Sequence, residues 1–269
     1  MISFHSRNLT HPPATGVFTM YNTKINLNHL TIPGEYKQTF PLENHSVSEG
    51  GSSFESVEVV FKDIEKRLIE IIYGYSDHMI FGCVAWLTSE PILRALAFCK
   101  NVQILVQKED FLRPDLDQKS TPSWTGKLTR LYSNIKFSYA RFELNAPMGE
   151  LSMCGDISVS GVRCVGNHNE DKSSACPRSH HKFLVFCKIG EKDIEGHKIN
   201  YDPVALWTGS FNFTKNATYS FENAIFLTDP SGKSEVINAY LKEHHQIFCL
   251  SESLDWYRPW SEPEYRIGT

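Results

Sequence analysis

The chain of 269 residues lacks several features that would place it in a special class of protein. It has no run of about 18 apolar residues, so we expect no membrane-spanning helix and no stable membrane association. Its N-terminus shows no basic segment followed by an apolar stretch, so we expect no secretory signal peptide. Basic residues are not in excess, because 27 Lys and Arg oppose 31 Asp and Glu for a net charge of −4. This balance excludes a uniformly basic nucleic-acid binder but allows a local basic cleft.

Cysteine is present but is not arranged as a disulfide framework. The seven cysteines are odd in number and scattered, which is typical of reduced thiols that pack as small apolar side chains. We therefore expect a cytoplasmic protein. The hydrophobic content of 41% excludes a disordered chain and is sufficient for a buried core.

Composition divides the chain into three parts. Residues 1–53 are rich in Pro, Thr, Asn and His and end in a Gly- and Ser-rich stretch, so we expect an N-terminal extension with short strands. Residues 54–250 carry the regular apolar patterns of a folded domain. Residues 251–269 are aromatic and polar, and we interpret them as a C-terminal tail.

Short apolar runs alternate with helical patterns in the central part. Strands are predicted at 57–61, 79–87, 102–107, 183–188, 203–209 and 223–228, and helices at 64–74, 90–98, within 109–135 and at 236–248. The strand–helix–strand succession over residues 57–107 favours parallel pairing through a right-handed crossover. The sequence therefore predicts an α/β domain with a mixed, largely parallel β-sheet sandwiched by helices.

A pair of chemically active side chains stands just before one of the predicted strands. His180 and Lys182 are separated by one residue in PRSHHKFLVF. Positions i and i+2 of a strand face the same side, so the imidazole and the ammonium are expected side by side. His181 is expected on the opposite face.

A second polar group follows the apolar run PVALWT. Ser210 and Asn212 repeat the alternate spacing, and Gly209 before them permits a close backbone approach. Glu222 stands at the start of the next strand, where its carboxylate can orient the imidazole of His180. This set suits a phosphate diester, because a cation and neutral donors clamp the non-bridging oxygens while an imidazole attacks phosphorus.

The order of these motifs resembles the phospholipase D superfamily, whose signature is HxKxxxxD followed by GSxN. The likeness rests on His180, Lys182, Gly209, Ser210, Asn212 and the pair Glu222–Asn223, and it spans about residues 55–250. Residues 162–178 also resemble the corresponding segment of bacterial, nuclease-like members. The sequence departs from the signature at Cys187, which occupies the position of the motif's Asp, and in residues 190–203, which resemble an insertion.

The resemblance implies a phospholipase D-like fold and a phosphodiesterase that uses a phosphohistidine intermediate. It gives catalytic roles to His180, Lys182, Ser210, Asn212 and Glu222, and we expect Arg163, Arg178 and Gly209 to contact substrate. It implies no cofactor and no catalytic metal. The superfamily uses two His–Lys sets per active site and this chain has one, so a homodimer with a shared site is also implied.

Three functions stay open at this stage. A metal-independent endonuclease that acts on nucleic acid is favoured by the single motif. A phospholipase D that acts on phospholipid head groups is the second, but the sequence shows no basic amphipathic helix of the interfacial kind. A catalytically silent interaction module is the third, and Cys187 is the residue that suggests it.

Zinc is a further alternative for the segment before the motif. Cys164, His168, Cys176 and His181 are zinc ligands by type, but their spacing fits no standard finger, so no metal site is predicted. Phe211 and Phe213, which flank Asn212, are expected in the core rather than as surfaces for base stacking.

Overall fold

The computed structural model describes residues 30–33, 39–41, 56–112, 122–137, 143–146, 149–152, 160–192 and 199–256. The strands are β1 (Thr31–Pro33), β2 (Thr39–Pro41), β3 (Ser56–Val60), β4 (Met79–Val84), β5 (Asn101–Gln107), β6 (Glu143–Ala146), β7 (Gly149–Ser152), β8 (Val162–Val165), β9 (Lys182–Lys192), β10 (Ile199–Gly209) and β11 (Ala224–Thr228). The helices are α1 (Ile64–Gly74), α2 (Glu90–Phe98), α3 (Pro122–Ser133) and α4 (Glu235–Cys249), with short 3-10 helices at Asp110–Leu112 and Asn216–Tyr219.

Seven strands form one mixed sheet in the order β3-β11-β10-β9-β4-β5-β8. The pairs β4–β5 and β5–β8 are parallel, whereas the other four pairs are antiparallel. The mixed α/β class is therefore confirmed, but the expectation of a largely parallel sheet is wrong. The link between β9 and β10, residues 193–198, is shorter than the dozen or more residues that a parallel crossover needs, so these strands pair as a hairpin.

Helices cover both faces of this sheet, as the sequence predicted. The face under α1, α2 and α3 buries residues such as Leu68 and Leu93 against the sheet residue Trp207. The opposite face packs α4 against the sheet, with Leu241 among its buried residues. The active-site candidates lie where β9 begins and where β10 ends.

Local sequence signals explain where the helices begin. Ser89 precedes α2, and its Oγ accepts a hydrogen bond from the backbone N–H of Ile92 at 3.5 Å. Ser234 plays the same part before α4, where its Oγ accepts from the N–H of Ile237 at 3.5 Å. Such caps bond backbone donors that a helix leaves unsatisfied in its first turn. Apolar residues three or four positions apart on α1, from Ile64 to Ile72, place one stripe of the helix against the sheet.

The described ends of the chain also pack on this domain. Ile32 of β1 is buried among the residues of the α4 face. Glu252 pairs with Cys164 of the edge strand β8: the N–H of Cys164 donates to the carbonyl of Glu252 at 2.9 Å, and the N–H of Glu252 donates to the carbonyl of Cys164 at 2.8 Å. The carboxylate of Glu252 accepts a hydrogen bond from Lys108 Nζ at 2.5 Å. The division into extension, domain and tail stays a prediction, and most of residues 1–53 and 257–269 lie outside the described residues.

The described cysteines agree with the expectation of packed, reduced thiols. Six of them are free and buried, and Cys154 lies outside the described residues. Burial raises the pKa of the Cys187 thiol well above its usual range, so this residue is a neutral core side chain where the superfamily signature has an acid. None of the described helices is both long and apolar enough to cross a membrane.

Candidate active site

The start of β9 holds His180 and Lys182 together. Lys182 is the first residue of β9 and lies opposite Val84 of β4. Its side chain is only 7% exposed, and Nζ donates a hydrogen bond to the backbone carbonyl of His180 at 2.7 Å. The His180 imidazole is exposed. A nearly buried lysine thus lies beside a histidine that solvent and substrate can reach.

The residue between them points to the other side of the sheet, as predicted. His181 Nε2 lies 3.3 Å from Oε1 of Glu243 on α4. Its ring also contacts Phe183, which packs on the α4 face, at a centroid distance of 5.7 Å. The alternation of faces along β9 therefore separates His181 from the His180–Lys182 pair.

Burial and neighbouring charges tune the ionisation of this pair. The pKa of His180 is lowered from its usual value, chiefly by partial desolvation and then by the positive charges of Lys182 and Arg178. Burial lowers the pKa of Lys182 to about 8, although the carboxylate of Glu222 acts in the opposite direction. At neutral pH the pair therefore consists of a neutral imidazole, which can act as a nucleophile, and a charged ammonium.

Ser210 and Glu222 meet where β10 ends and β11 begins. Ser210 Oγ donates to Glu222 Oε2, and it accepts from the backbone N–H of Asn223 at 3.1 Å. The N–H of Ser210 in turn donates to the carbonyl of Asn223 at 3.0 Å. No hydrogen bond joins Glu222 to His180 in the described structure, so the expectation that this carboxylate orients the imidazole directly is wrong. Glu222 instead acts on Lys182 through charge and holds the Ser210 hydroxyl.

Gly209 has a packing role that the sequence did not reveal. A Cβ at this position would lie 2.2 Å from the carbonyl oxygen of Asn223 and 2.7 Å from Cα of Ala224. The close backbone approach that a glycine permits is therefore made by β11 of the same chain. This contact brings Ser210 and Glu222 within bonding distance.

Asn212 lies in a rigid loop between two core residues. Phe211 and Phe213 are buried, which confirms that they belong to the core. The carbonyl of Phe213 accepts hydrogen bonds from the N–H groups of Thr88 and Ser89, both at 2.8 Å, which ties the loop to the start of α2. Asn212 Oδ1 is buried and has no hydrogen-bond partner among the described residues. Buried polar atoms are normally satisfied, so this side chain is suited to a polar ligand.

Trp86 and Arg178 lie beside His180. The indole of Trp86 contacts the His180 ring edge to face, with centroids 5.6 Å apart, and its Nε1 donates to Oε1 of Glu109 at 2.9 Å. Arg178 Nε lies 3.8 Å from the same carboxylate oxygen. Sequence reasoning missed Trp86 because it predicted residues 79–87 as one strand, whereas β4 ends at Val84 and leaves Trp86 beyond it.

The expectation for Arg163 is wrong. This side chain is only 3% exposed, and its Nε donates to Ser251 Oγ at 2.8 Å. A second guanidinium nitrogen donates to the carbonyl of Ser251 at 3.1 Å, and the group lies over the ring of Phe248 at 5.7 Å. Arg163 therefore anchors the segment after α4 and does not face substrate.

The structure does not bring the candidate zinc ligands together. Cys164 Sγ lies 3.1 Å from the carbonyl of Ser253, and His168 Nε2 contacts the carboxylate of Asp110. His181 faces α4, as described above. Across the described ranges no group of three or more His, Cys, Asp or Glu side chains is placed to hold a metal ion.

A cleft of about 960 Å³ opens beside this cluster. Trp86, Asn212 and Glu222 line it at the end that adjoins His180 and Lys182. Its walls continue along α2, α3 and residues 214–220. The proposed phosphate-binding groups therefore lie at one end of a larger recess.

Comparisons with known proteins give one relative of substantial identity. The chain is 30% identical over 214 residues to the uncharacterized protein L381 of Acanthamoeba polyphaga mimivirus, a match that covers 75% of this chain and 68% of that protein. No protein-family model matches the chain.

Similar solved structures share little sequence with the chain. They include the phospholipase D family member Nuc from Salmonella typhimurium, with 17% identity, coverage of 73% and 96% of the two chains, and a TM-score of 0.43. NucT from Helicobacter pylori has 13% identity, coverage of 74% and 98%, and a TM-score of 0.42. A polyphosphate kinase from Porphyromonas gingivalis has 12% identity, coverage of 73% and 25%, and a TM-score of 0.38.

Proposed function

The chain belongs to the same family as the uncharacterized mimivirus protein L381, and from its own site we propose that it is a phosphodiesterase of the phospholipase D-like kind. The observation that carries the proposal is the pair at the start of β9. A neutral, exposed imidazole adjoins a nearly buried lysine, whose ammonium retains its charge below a pH of about 8 because that is its pKa. This is a nucleophile with a phosphate clamp.

The chemistry divides into two displacements at phosphorus. In the first, a nitrogen of His180 attacks phosphorus, the P–N bond forms, and the bond from phosphorus to the leaving oxygen breaks. A second histidine, which the bound anionic diester keeps protonated, gives its proton to that oxygen. In the second, water attacks phosphorus, gives a proton to the second histidine, and the P–N bond breaks. Lys182 holds the charge on the non-bridging oxygens throughout, and the side-chain amide of Asn212 donates a hydrogen bond to them. Ser210, whose hydroxyl donates to Glu222, is proposed to hold that carboxylate beside Lys182.

The second histidine is proposed to come from a second copy of this chain. The sequence contains one His-x-Lys set followed by GSxN, whereas in-line chemistry needs a nucleophile and an acid on opposite sides of phosphorus. An isologous two-fold interface would place two copies of His180 at one phosphate. The catalytic unit is proposed to comprise residues 54–250, flanked by the extension and the tail.

We propose nucleic acid as the substrate and cleavage without a divalent metal or cofactor. Lys182 and Arg178 supply positive charge beside the exposed His180, the function that metal ions serve in two-metal nucleases. A cytoplasmic location is part of the proposal, and the free, buried state of the described cysteines supports it.

The test compares His180→Ala with His181→Ala. Purified chains are assayed on bis(p-nitrophenyl) phosphate, oligonucleotides and phosphatidylcholine vesicles, each with and without EDTA. We expect EDTA-resistant cleavage of the diester and the oligonucleotides, and a loss of about a thousandfold or more in His180→Ala, as for removal of a covalent nucleophile. His181→Ala is the matched control, because this neighbour faces α4. Wild-type turnover by His180→Ala, or activity that returns only with magnesium, would contradict the proposal.

A further inference from the structure

Resting on that proposed function, we propose that the cleft beside His180 binds unpaired nucleobases of a single-stranded nucleic acid, with Trp86 and Trp124 as stacking surfaces. The cleft is continuous with the catalytic groups, since Trp86 touches the His180 ring and also lines the cleft. A strand whose phosphate lies at His180 would therefore pass its neighbouring nucleotides into this recess.

Aromatic rings line the cleft and remain open to solvent. Trp124 of α3 is 46% exposed, and Phe111 supports it edge to face with a centroid distance of 5.8 Å. Tyr219, from the segment between β10 and β11, is 80% exposed at the same cleft. Trp86 is fixed by its hydrogen bond to Glu109. Exposed aromatic faces of this kind bind bases by stacking, which tolerates any sequence because every base has a π-face.

The walls of the cleft carry charges of both signs, because Lys127 and Lys215 line it together with Glu65 and Glu90. Glu90 on α2 is already engaged by Lys127 at 2.5 Å and by Arg94 at 2.7 Å. Glu65 accepts a hydrogen bond from Ser89 at 2.5 Å. The charge of Glu90 is thus balanced by two neighbouring cations, so the selection of bases rests on the aromatic rings and not on the charge of the walls. The reacting phosphate is placed at the Lys182 end, beside His180.

Geometry distinguishes a single strand from a duplex. A duplex keeps its bases paired and stacked inside and presents phosphates outside, so its bases reach a protein pocket only after they are unpaired and unstacked, which is unfavourable. The cleft of about 960 Å³ is near the upper end of small-molecule sites, and it therefore has room for bases beyond the reacting diester. The structure thus matches a flexible strand whose bases are already free.

The experiment measures binding without turnover, in the full chain that carries His180→Ala. Fluorescence anisotropy is recorded with a short labelled DNA strand, an abasic strand of equal length, and the corresponding duplex. We expect the base-bearing strand to bind more tightly than the other two. Adding Trp124→Ala should weaken its binding about tenfold and remove the difference from the abasic strand, whereas Trp124→Phe should restore most of it.

Phe98→Ala is the control, because Phe98 is 66% exposed on α2 but does not line this cleft. Tyr219→Ala provides a second variant should circular dichroism show that Trp124→Ala is misfolded. Equal affinity for abasic and base-bearing strands, no effect of the cleft variants, or phosphatidylcholine vesicles that displace the strand would overturn the inference. A different result would contradict the proposed function itself, namely that the wild type hydrolyses no phosphodiester.

Discussion

Lys182 controls the pH range in which the proposed site can work. Burial lowers the pKa of its ammonium to about 8, so above that pH the free protein loses the charge that clamps phosphate. The pKa of His180 is also lowered, which leaves its imidazole neutral at lower pH than usual. Because p-nitrophenolate leaves without a proton, the second histidine is not needed as an acid for this substrate. We therefore expect kcat/KM for bis(p-nitrophenyl) phosphate to rise as His180 deprotonates and to fall above a pH of about 8.

Lys182→Arg tests whether Lys182 causes the alkaline limb of the pH profile, that is, the fall in kcat/KM above a pH of about 8. Arginine keeps its charge to a pH of about 12, so the fall near pH 8 should disappear even if the plateau is lower. Lys188→Arg is the matched control on the same strand, because Lys188 is exposed. An alkaline limb that stays in place in Lys182→Arg would show that another group titrates there.

Glu222 acts on the site through its charge, which yields a second test. Its carboxylate raises the pKa of Lys182 against the effect of burial. Glu222→Gln removes that charge, so the alkaline limb should move to lower pH. Ser210→Ala keeps the charge and removes only the hydroxyl that bonds Glu222, so it should lower the plateau without moving the limb. Coincident pH profiles for wild type and Glu222→Gln would show that the charge of Glu222 does not reach Lys182.

Sequence alone could reveal part of this site. The spacing of His180 and Lys182 before an apolar run shows their proximity, because the end of a strand is a local structure. The sequence did not reveal that Glu222 bonds Ser210. The two residues meet because β11 packs closely against Gly209, and that long-range contact has no local signal in the sequence. Arg163 was misplaced because nothing local indicates that Ser251 accepts its hydrogen bonds.

At the scale of elements, apolar periodicity located strands and helices but not their directions. Runs such as those in β4 and β5 are continuous and buried, so they were predictable. β8 was missed because Arg163 interrupts its apolar pattern. The direction of pairing depends on how each connection crosses the sheet, and the hairpin link between β9 and β10 has no strong signature in the sequence.

The helix α4 contains two buried histidines that make the fold sensitive to acid. His244 is fully buried, and its pKa is lowered to about 3 because burial disfavours the imidazolium. The pKa of His245 is lowered in the same way. The unfolded chain takes up these protons below a pH of about 6.5 while the folded chain does not. Stability is therefore fully present above that pH and is lost as the pH falls toward 3.

His244→Phe should reduce this acid sensitivity. The imidazole already stacks on Phe248 at a centroid distance of 6.2 Å, so a phenyl ring can take its place. Between about pH 6 and pH 4, the free energy of unfolding should change by about 1.4 kcal/mol less per pH unit than in wild type. Urea titrations at several pH values measure it, with the exposed His181→Gln as control. Parallel stability curves for wild type and His244→Phe would refute the assignment.

At the scale of the whole molecule, the proposed mechanism requires two chains at one phosphate. Light scattering should report about twice 30.7 kDa. His180 itself is exposed on the described surface, which leaves room for a facing copy. Mass alone does not show a shared site, so a mixing experiment is needed.

Two differently tagged chains are co-expressed, one wild type and one carrying His180→Ala, and the mixed dimer is purified through both tags. A shared site lacks either its nucleophile or its acid in this dimer, so we expect almost no turnover. An unfractionated, randomly assorted equal mixture should then keep about a quarter of the wild-type activity, because only that share of dimers has two intact histidines. A mixed dimer with His181→Ala, whose substituted residue faces α4, is the control and should stay active.

Half of the wild-type activity in the purified His180→Ala mixed dimer would mean that each chain works alone. The acid would then have to come from within the chain, because one imidazole cannot both attack phosphorus and protonate the oxygen that leaves on the opposite side.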